Sequence, residues 1–319
     1  MMEFGFGLPT RGPLATPENL AALAGKADEL GFGFISVSDH IVIPNSIAST
    51  YPYNESGEYA GGDAGECLEQ LTTLTFLAAN STNVRLLTSV MVLPHRPPVL
   101  TAKILSTIDV LSKGRMILGC GIGWMQEEFE ALGAEPFDQR GAVGDDYLRI
   151  FKELWTSDSP SYDSEYASFS DISFNPQPVQ KPHPPIWVGG ESPPALRRAA
   201  TLGDTWYPIG ANPRFPVGTL EQYSQYAARV RRYAEEAGRD PSEVGFAFSA
   251  GWYNDQEAAT GSDGNRKPLT GTPQQIADDV KAYEELGVSD LMLGLQAPTL
   301  EETFIKLERF TQNVKTLVG

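Results

Sequence analysis

Short apolar runs rich in Val, Ile and Phe alternate along the chain with longer amphipathic stretches. The runs are Phe4–Leu8, Phe32–Ser38, Val84–Leu93, Met116–Cys120, Pro185–Val188, Thr205–Ile209, Val244–Trp252 and Val288–Leu293. Each has the length and composition of a buried strand. Between them apolar residues recur at helical spacing. Leu20, Leu23, Ala27 and Leu30 make one stripe. Leu68, Leu71, Leu74 and Leu77 make a second, widened by Cys67 and Ala78, and Leu100, Ile104, Ile108 and Leu111 a third. Leu148, Phe151 and Leu154 follow, then Ile276, Val280, Tyr283 and Leu286, and last Leu300, Phe304, Leu307, Phe310, Val314 and Leu317. Leu30-Gly31, Leu202-Gly203 and Leu286-Gly287 each close a helix just before a strand, where glycine supplies a left-handed cap.

Eight repeated strand–helix units imply parallel strands joined by right-handed crossovers. The pattern predicts an α/β fold, a (β/α)8 TIM barrel, over residues 1–319 as one domain. Three stretches break the rhythm. Ile41–Gly65 follows strand 2, Ser157–Pro184 precedes strand 5 with a hairpin expected around Tyr166–Phe174, and Asn254–Gly271 follows strand 7. Insertions of this length in a compact domain serve as lids or binding loops.

Charge and composition narrow the classes. The chain has 24 Lys and Arg against 41 Asp and Glu, a net charge of −17, which excludes a partner held by its phosphate backbone, such as nucleic acid. No apolar run approaches the ~20 residues of a membrane span. Met1-Met2-Glu3 leads straight into a strand without a signal pattern, and two cysteines, Cys67 and Cys120, fit a reducing compartment. A cytoplasmic location is therefore expected. The three histidines, His40, His95 and His183, are isolated, so no metal is expected.

A barrel of this kind does its chemistry where the strands end. Strand 2 ends in Ser38-Asp39-His40, a place for a proton donor or for a loop-capping pair. Strand 3 leads through Thr88-Ser89-Val90 to His95-Arg96 in a proline turn. Strand 4 runs into Gly119-Cys120-Gly121-Ile122-Gly123-Trp124, whose alternating glycines would let a flat ligand approach the backbone. The spacing is not the dinucleotide-binding G-x-G-x-x-G. Strand 5 gives Trp187-Val188-Gly189-Gly190-Glu191-Ser192-Pro193-Pro194, a helix start with a Ser cap and orphan amides suited to an anion. Glu191 would repel that anion unless it points outward. Arg96, Lys103, Arg197 and Arg198 are candidates for a positive rim, and Trp206 and Trp252 for a pocket wall.

Taken in order, Ser38-Asp39-His40, the stretch Thr107 to Arg115, Gly119 to Trp124 with Glu128-Phe129-Glu130-Ala131-Leu132-Gly133, Arg140-Gly141 and Trp187-Val188-Gly189-Gly190-x-Ser192 resemble the bacterial luciferase-like family of flavin and deazaflavin oxidoreductases. They are most similar to its branch using the deazaflavin coenzyme F420, and the likeness runs from about Glu3 to Leu295. The resemblance implies hydride transfer between F420 and a small organic substrate, with His40 as the catalytic residue near the redox-active part of the ring. It implies a cis peptide between Ser89 and Val90 behind the ring, and a tail phosphate on Gly189, Gly190 and Ser192. Candidate cofactor contacts are Asp39, His40, Thr88, Ser89, Val90, Gly121, Ile122, Gly123, Trp124, Val188, Gly189, Gly190, Glu191 and Ser192. Trp124, Trp206 and Trp252 are candidate substrate-pocket residues. Trp124 stands where the family's sugar-phosphate dehydrogenases have a Glu, which favours an apolar or aromatic substrate. An FMN-dependent monooxygenase shares the same motifs, and a non-catalytic cofactor-binding protein would share the phosphate site. Family members pair through barrel faces, so a homodimer is expected.

Overall fold

The structure is a computed structural model that describes residues 2–60, 65–261 and 263–319. Residues 61–64 and 262, which belong to the first and third predicted insertions, lie outside the described residues. The eight runs form eight parallel barrel strands: β1 (Glu3–Gly7), β2 (Phe34–Val37), β3 (Arg85–Thr88, continued by Met91–Val92), β4 (Met116–Gly121), β5 (Ile186–Gly189), β6 (Thr205–Tyr207), β7 (Gly245–Ala250) and β8 (Val288–Leu293). Each pairs with the next, and β8 pairs back with β1, so the sheet closes on itself. No helix among the described residues is long and apolar enough to cross a membrane.

Strand alternation sorts the side chains. Phe34, Leu87, Ile117, Trp187, Tyr207 and Ala247 point inward and form one buried cluster with Val90 and Met292. Their neighbours Phe4, Phe6, Ile35, Leu86, Leu118, Val188, Trp206 and Phe248 point outward into the layer shared with the helices. The floor is sealed by Arg85, whose guanidinium lies over the rings of Phe34 and Trp187 while pairing with Asp290.

Nine helices among the described residues surround or cap this ring: α1 (Pro17–Glu29), α2 (Gln70–Ala79), α3 (Pro98–Leu111), α4 (Gln126–Leu132), α5 (Arg140–Thr156), α6 (Pro193–Leu202), α7 (Leu220–Glu236), α8 (Pro273–Glu285) and α9 (Leu300–Phe310), the last continued to Val318 by a wider turn. Thr16, Ser192, Thr219, Thr272 and Thr299 cap helix starts through their hydroxyls. The α3 stripe is offset from the predicted one. Leu100 and Leu111 are exposed, while Thr101, Ala102, Leu105, Ser106 and Asp109 are buried. Small and polar residues win that face because the Trp155 indole of α5 donates to the Ala102 carbonyl, and Asp109 accepts from both the backbone and side chain of Gln180. Gly31 and Gly287 have the left-handed conformation, but Gly203 has φ −86°. It is a glycine for room: a Cβ there would lie 2.7 Å from Val188. The second insertion holds a short hairpin, Tyr162–Asp163 against Ser168–Phe169, starting earlier than predicted.

The alternating glycines of β4 have a structural reason. A Cβ on Gly119 would stand 2.0 Å from the Thr88 carbonyl oxygen, and one on Gly121 3.0 Å from Val90. A Cβ on Gly189 of β5 would stand 3.1 Å from the same Val90. The glycines therefore clear space for the Thr88–Val90 segment, whose Ser89–Val90 peptide is cis, as the resemblance implies. Gly119→Ala should cost about 3 kcal/mol or more, because a backbone carbonyl cannot step aside as a side-chain tip can. A urea-unfolding midpoint unchanged from the parent protein would contradict this account.

Candidate active site

A cleft of about 710 Å3 opens at the carboxyl ends of the strands. Its walls come from β2 and the insertion after it, the β3 extension, the β4–α4 turn, the start of α6 and the loop after β6. Asp39, His40, Ser89, Val90, Gly121, Ile122, Gly123, Trp124, Gly189, Gly190, Glu191 and Ser192 all line it. Four other sequence candidates do not. Thr88 is fully buried and donates to the Gly119 carbonyl. Val188 faces the helices, as does Trp206, which packs on Tyr223, Tyr226 and Phe246 and donates to the Gly190 carbonyl. Both are put there by strand alternation. Trp252 bonds the Pro268 carbonyl beneath the Lys267 ammonium, so it secures the third insertion instead of walling the cleft.

His40 has a different partner from its sequence neighbour. The Asp39 carboxylate is taken by both terminal nitrogens of Arg96, at 2.8 Å each, and by the Val92 amide. Arg96 also pairs with Glu69, so it ties the end of β2 to α2 and is no part of an open positive rim. His40 Nδ1 instead lies 2.8 Å from Glu128 Oε2 of α4. The other Glu128 oxygen accepts from the amides of Ile41 and Val42. Burial raises the Glu128 carboxyl, but His40, His95 and the Ile41 amide outweigh it and hold it below the usual carboxylate range. His95, expected as a loop residue, is buried 4.0 Å from Glu128 and edge-on to Phe129. Burial lowers its pKa despite the carboxylates of Glu128 and Asp39.

The first insertion folds over this dyad. Tyr51, Tyr59 and Trp124 have their ring centres 5.1–5.3 Å apart, and Tyr59 sits 5.2 Å from the His40 ring while accepting from Arg11. Its backbone is clamped by α4, where one Glu127 oxygen accepts the amides of Ala48 and Ser49. Below, Ser89 Oγ, Tyr207 OH and Met292 Sδ form a polar chain in the barrel centre. Among the described residues, the first insertion is the only one of the three that lines the cleft; the unpredicted contributor is the loop holding Ile209, Asn212, Arg214 and Phe215.

The opposite end carries the anion-binding features, in altered form. Ser192 caps α6, but Pro193 and Pro194 fill the first helical positions and remove two N–H donors, and the Ala195 amide is spent on the Ser192 hydroxyl. Positive charge comes from Arg140, Arg198 and Arg214, which line the cleft there. Arg198 is held by Asp145 and the Gly141 carbonyl. Arg197 pairs with Glu236 in solvent and Lys103 bonds the Asn175 carbonyl, so neither contributes. Glu191 turns away from the cradle, accepting from the Ile209 amide and the Asn212 side chain. Burial, offset by those two donors, raises its pKa to about 7.

A family model of luciferase-like monooxygenases matches residues 2–260. The chain belongs to the luciferase-like monooxygenase family. It is 30% identical over 301 residues to an uncharacterised protein of Mycobacterium tuberculosis, covering 92% of this chain and 93% of that one. It is 28% identical over 276 residues to the FMNH2-dependent dimethylsulfone monooxygenase of Pseudomonas putida, covering 74% and 76%. Among solved structures, an F420-dependent secondary alcohol dehydrogenase in complex with an F420-acetone adduct superposes with a TM-score of 0.76 over 100% of this chain and 99% of that one, at 16% identity. This luciferase-like chain is thus an oxidoreductase by family, with F420-dependent and FMN-dependent proteins among those it resembles.

Two outcomes follow from the buried charges of this luciferase-like site. Arg96→Met should destabilise the fold by about 3–5 kcal/mol, because it strands the Asp39 carboxylate without a cation, a loss read from chemical denaturation. His95 is depressed by burial, so below its ordinary value near 6.5 the unfolded chain binds a proton that the folded chain refuses. Its share of stability is therefore lost as pH falls below that value, and His95→Phe should flatten the slope of unfolding free energy on the acid side of about pH 6.5.

Proposed function

We propose that this protein binds the deazaflavin coenzyme F420 and transfers a hydride between it and a small apolar or aromatic organic substrate. The observation that carries the reading is the placement of His40: a histidine backed by an ionised carboxylate, in a cleft with an aromatic wall on one side and a cationic, serine-capped helix start on the other. The cleft volume lies within the range of small-molecule sites. The residues fit such a coenzyme: Val90 and the paired glycines present a smooth backing, and Ser192 with Arg140, Arg198 and Arg214 would hold an anionic tail. The bound coenzyme would supply a two-electron hydride donor or acceptor. His40 would hold or deliver the accompanying proton, and Tyr51, Tyr59 and Trp124 would exclude water from above.

The likeness of the ordered set of motifs from Ser38-Asp39-His40 to Trp187-Val188-Gly189-Gly190-x-Ser192 to the F420 branch supports this choice of coenzyme. The Pseudomonas putida relative supports a second reading, an FMN-dependent monooxygenase, since its printed activity uses FMNH2. Fluorescence titration of the protein with each coenzyme separates the two. Affinity for F420 at least about tenfold above that for FMN, ~1.4 kcal/mol, is expected, and tight binding of FMN alone would overturn the F420 assignment. His40→Ala should fold and bind the coenzyme yet lose about 100-fold or more in kcat, the scale of a positioned acid–base group. Unimpaired turnover would remove His40 from the chemistry.

A further inference from the structure

Glu128 reaches His40 across 88 residues of chain, and both of its oxygens are committed. Oε1 takes the Ile41 amide at 2.7 Å and the Val42 amide at 3.3 Å, so this oxygen can only accept. Oε2 faces His40 Nδ1 at 2.8 Å. An ionised carboxylate has no proton to give, so the hydrogen between the two must belong to Nδ1. For a neutral imidazole that leaves Nε2 bare. The ring borders the cleft, and no hydrogen bond to Nε2 is seen among the described residues, whereas Asp39, the adjacent carboxylate, is occupied by Arg96. His95 and Tyr59 lie against the pair, and Phe129 lies edge-on to His95.

We propose that Glu128 is the positioning residue that fixes His40 in its Nδ1–H tautomer, leaving Nε2 as the nitrogen that exchanges a proton with the substrate. The part concerning the substrate rests on the function proposed above; the tautomer does not. The same carboxylate seats the first residues of the lid, so the orientation of the base and the root of the lid share one anchor. Neighbouring Glu127 performs only the second task, through Ala48 and Ser49.

Glu128→Gln separates these roles. The amide oxygen of the new side chain must stay on the two amides of Ile41 and Val42, since turning its NH2 toward them would set donor against donor. Its NH2 then faces Nδ1, which must accept, and the ring proton moves to Nε2. An amide in place of an orienting carboxylate can preserve geometry and still leave the wrong tautomer. The chain has three histidines, so long-range 1H–15N spectra of the full-length protein can be assigned with His95→Gln and His183→Gln variants. In neutral protein His40 should carry its proton on Nδ1; Glu128→Gln should move it to Nε2, and Glu128→Asp and Glu127→Gln should leave it on Nδ1. The kcat of Glu128→Gln should fall at least about tenfold, with coenzyme affinity within about twofold of the parent. A parent His40 protonated on Nε2, or an Nδ1–H that survives Glu128→Gln in folded protein, overturns the assignment. Because the spectra need no coenzyme, an error in the proposed function would show as absent turnover with the tautomer result intact.

Discussion

A closed ring of parallel strands can expose chemistry only at its rims, because alternation buries every second side chain in the centre and the others beneath helices. This constraint governs the molecule. Phe34, Trp187 and Tyr207 fill the centre, the Arg85–Asp290 pair lies at the floor, and the carboxyl-end rim is where segments far apart in sequence meet. His40 just beyond β2, Glu128 from α4 and Ser192 from the start of α6 line one cleft for that reason. It also explains why Trp206 and Val188, one residue out of phase with the centre, play no part in it.

Most of the fold was legible in the sequence because the signals were local. Eight apolar runs became eight strands with ends within a few residues, and the Ser192 cap stands where α6 begins. Size-based reading failed on α3, where Ala102 and Ser106 are buried and Leu100 is not, since close approach of α5 selects small residues. It failed also at Gly203, where glycine answers a steric need with ordinary dihedrals.

The site was legible in outline and not in its pairings. His40, Ser89-Val90 and Gly189-Gly190-x-Ser192 were visible as strand ends, which the barrel brings together whatever the intervening chain. The carboxylate of His40 was not, since a pair separated by 88 positions leaves no periodicity, and the nearer Asp39 offered a simpler partner. Arg96 decides the matter by claiming Asp39 for itself. Nor could the sequence show that Tyr51 and Tyr59 would fold back over Trp124. Of the four cations expected at a positive rim only Arg198 lines the cleft, joined there by Arg140 and Arg214, so local charge departs from the net charge of a strongly anionic protein.

The consecutive prolines Pro193 and Pro194 alter how the α6 end would recognise an anion. A helix start rich in free amides fixes a phosphate by direction, at short range, in one pose. With two of those donors gone and a third bonded to Ser192, more of the attraction falls to guanidinium charge on long stems, which tolerates anions of differing reach. Such recognition weakens as ionic strength rises and the Debye length contracts. The attraction of this end of the cleft for an anion would then track the salt around it.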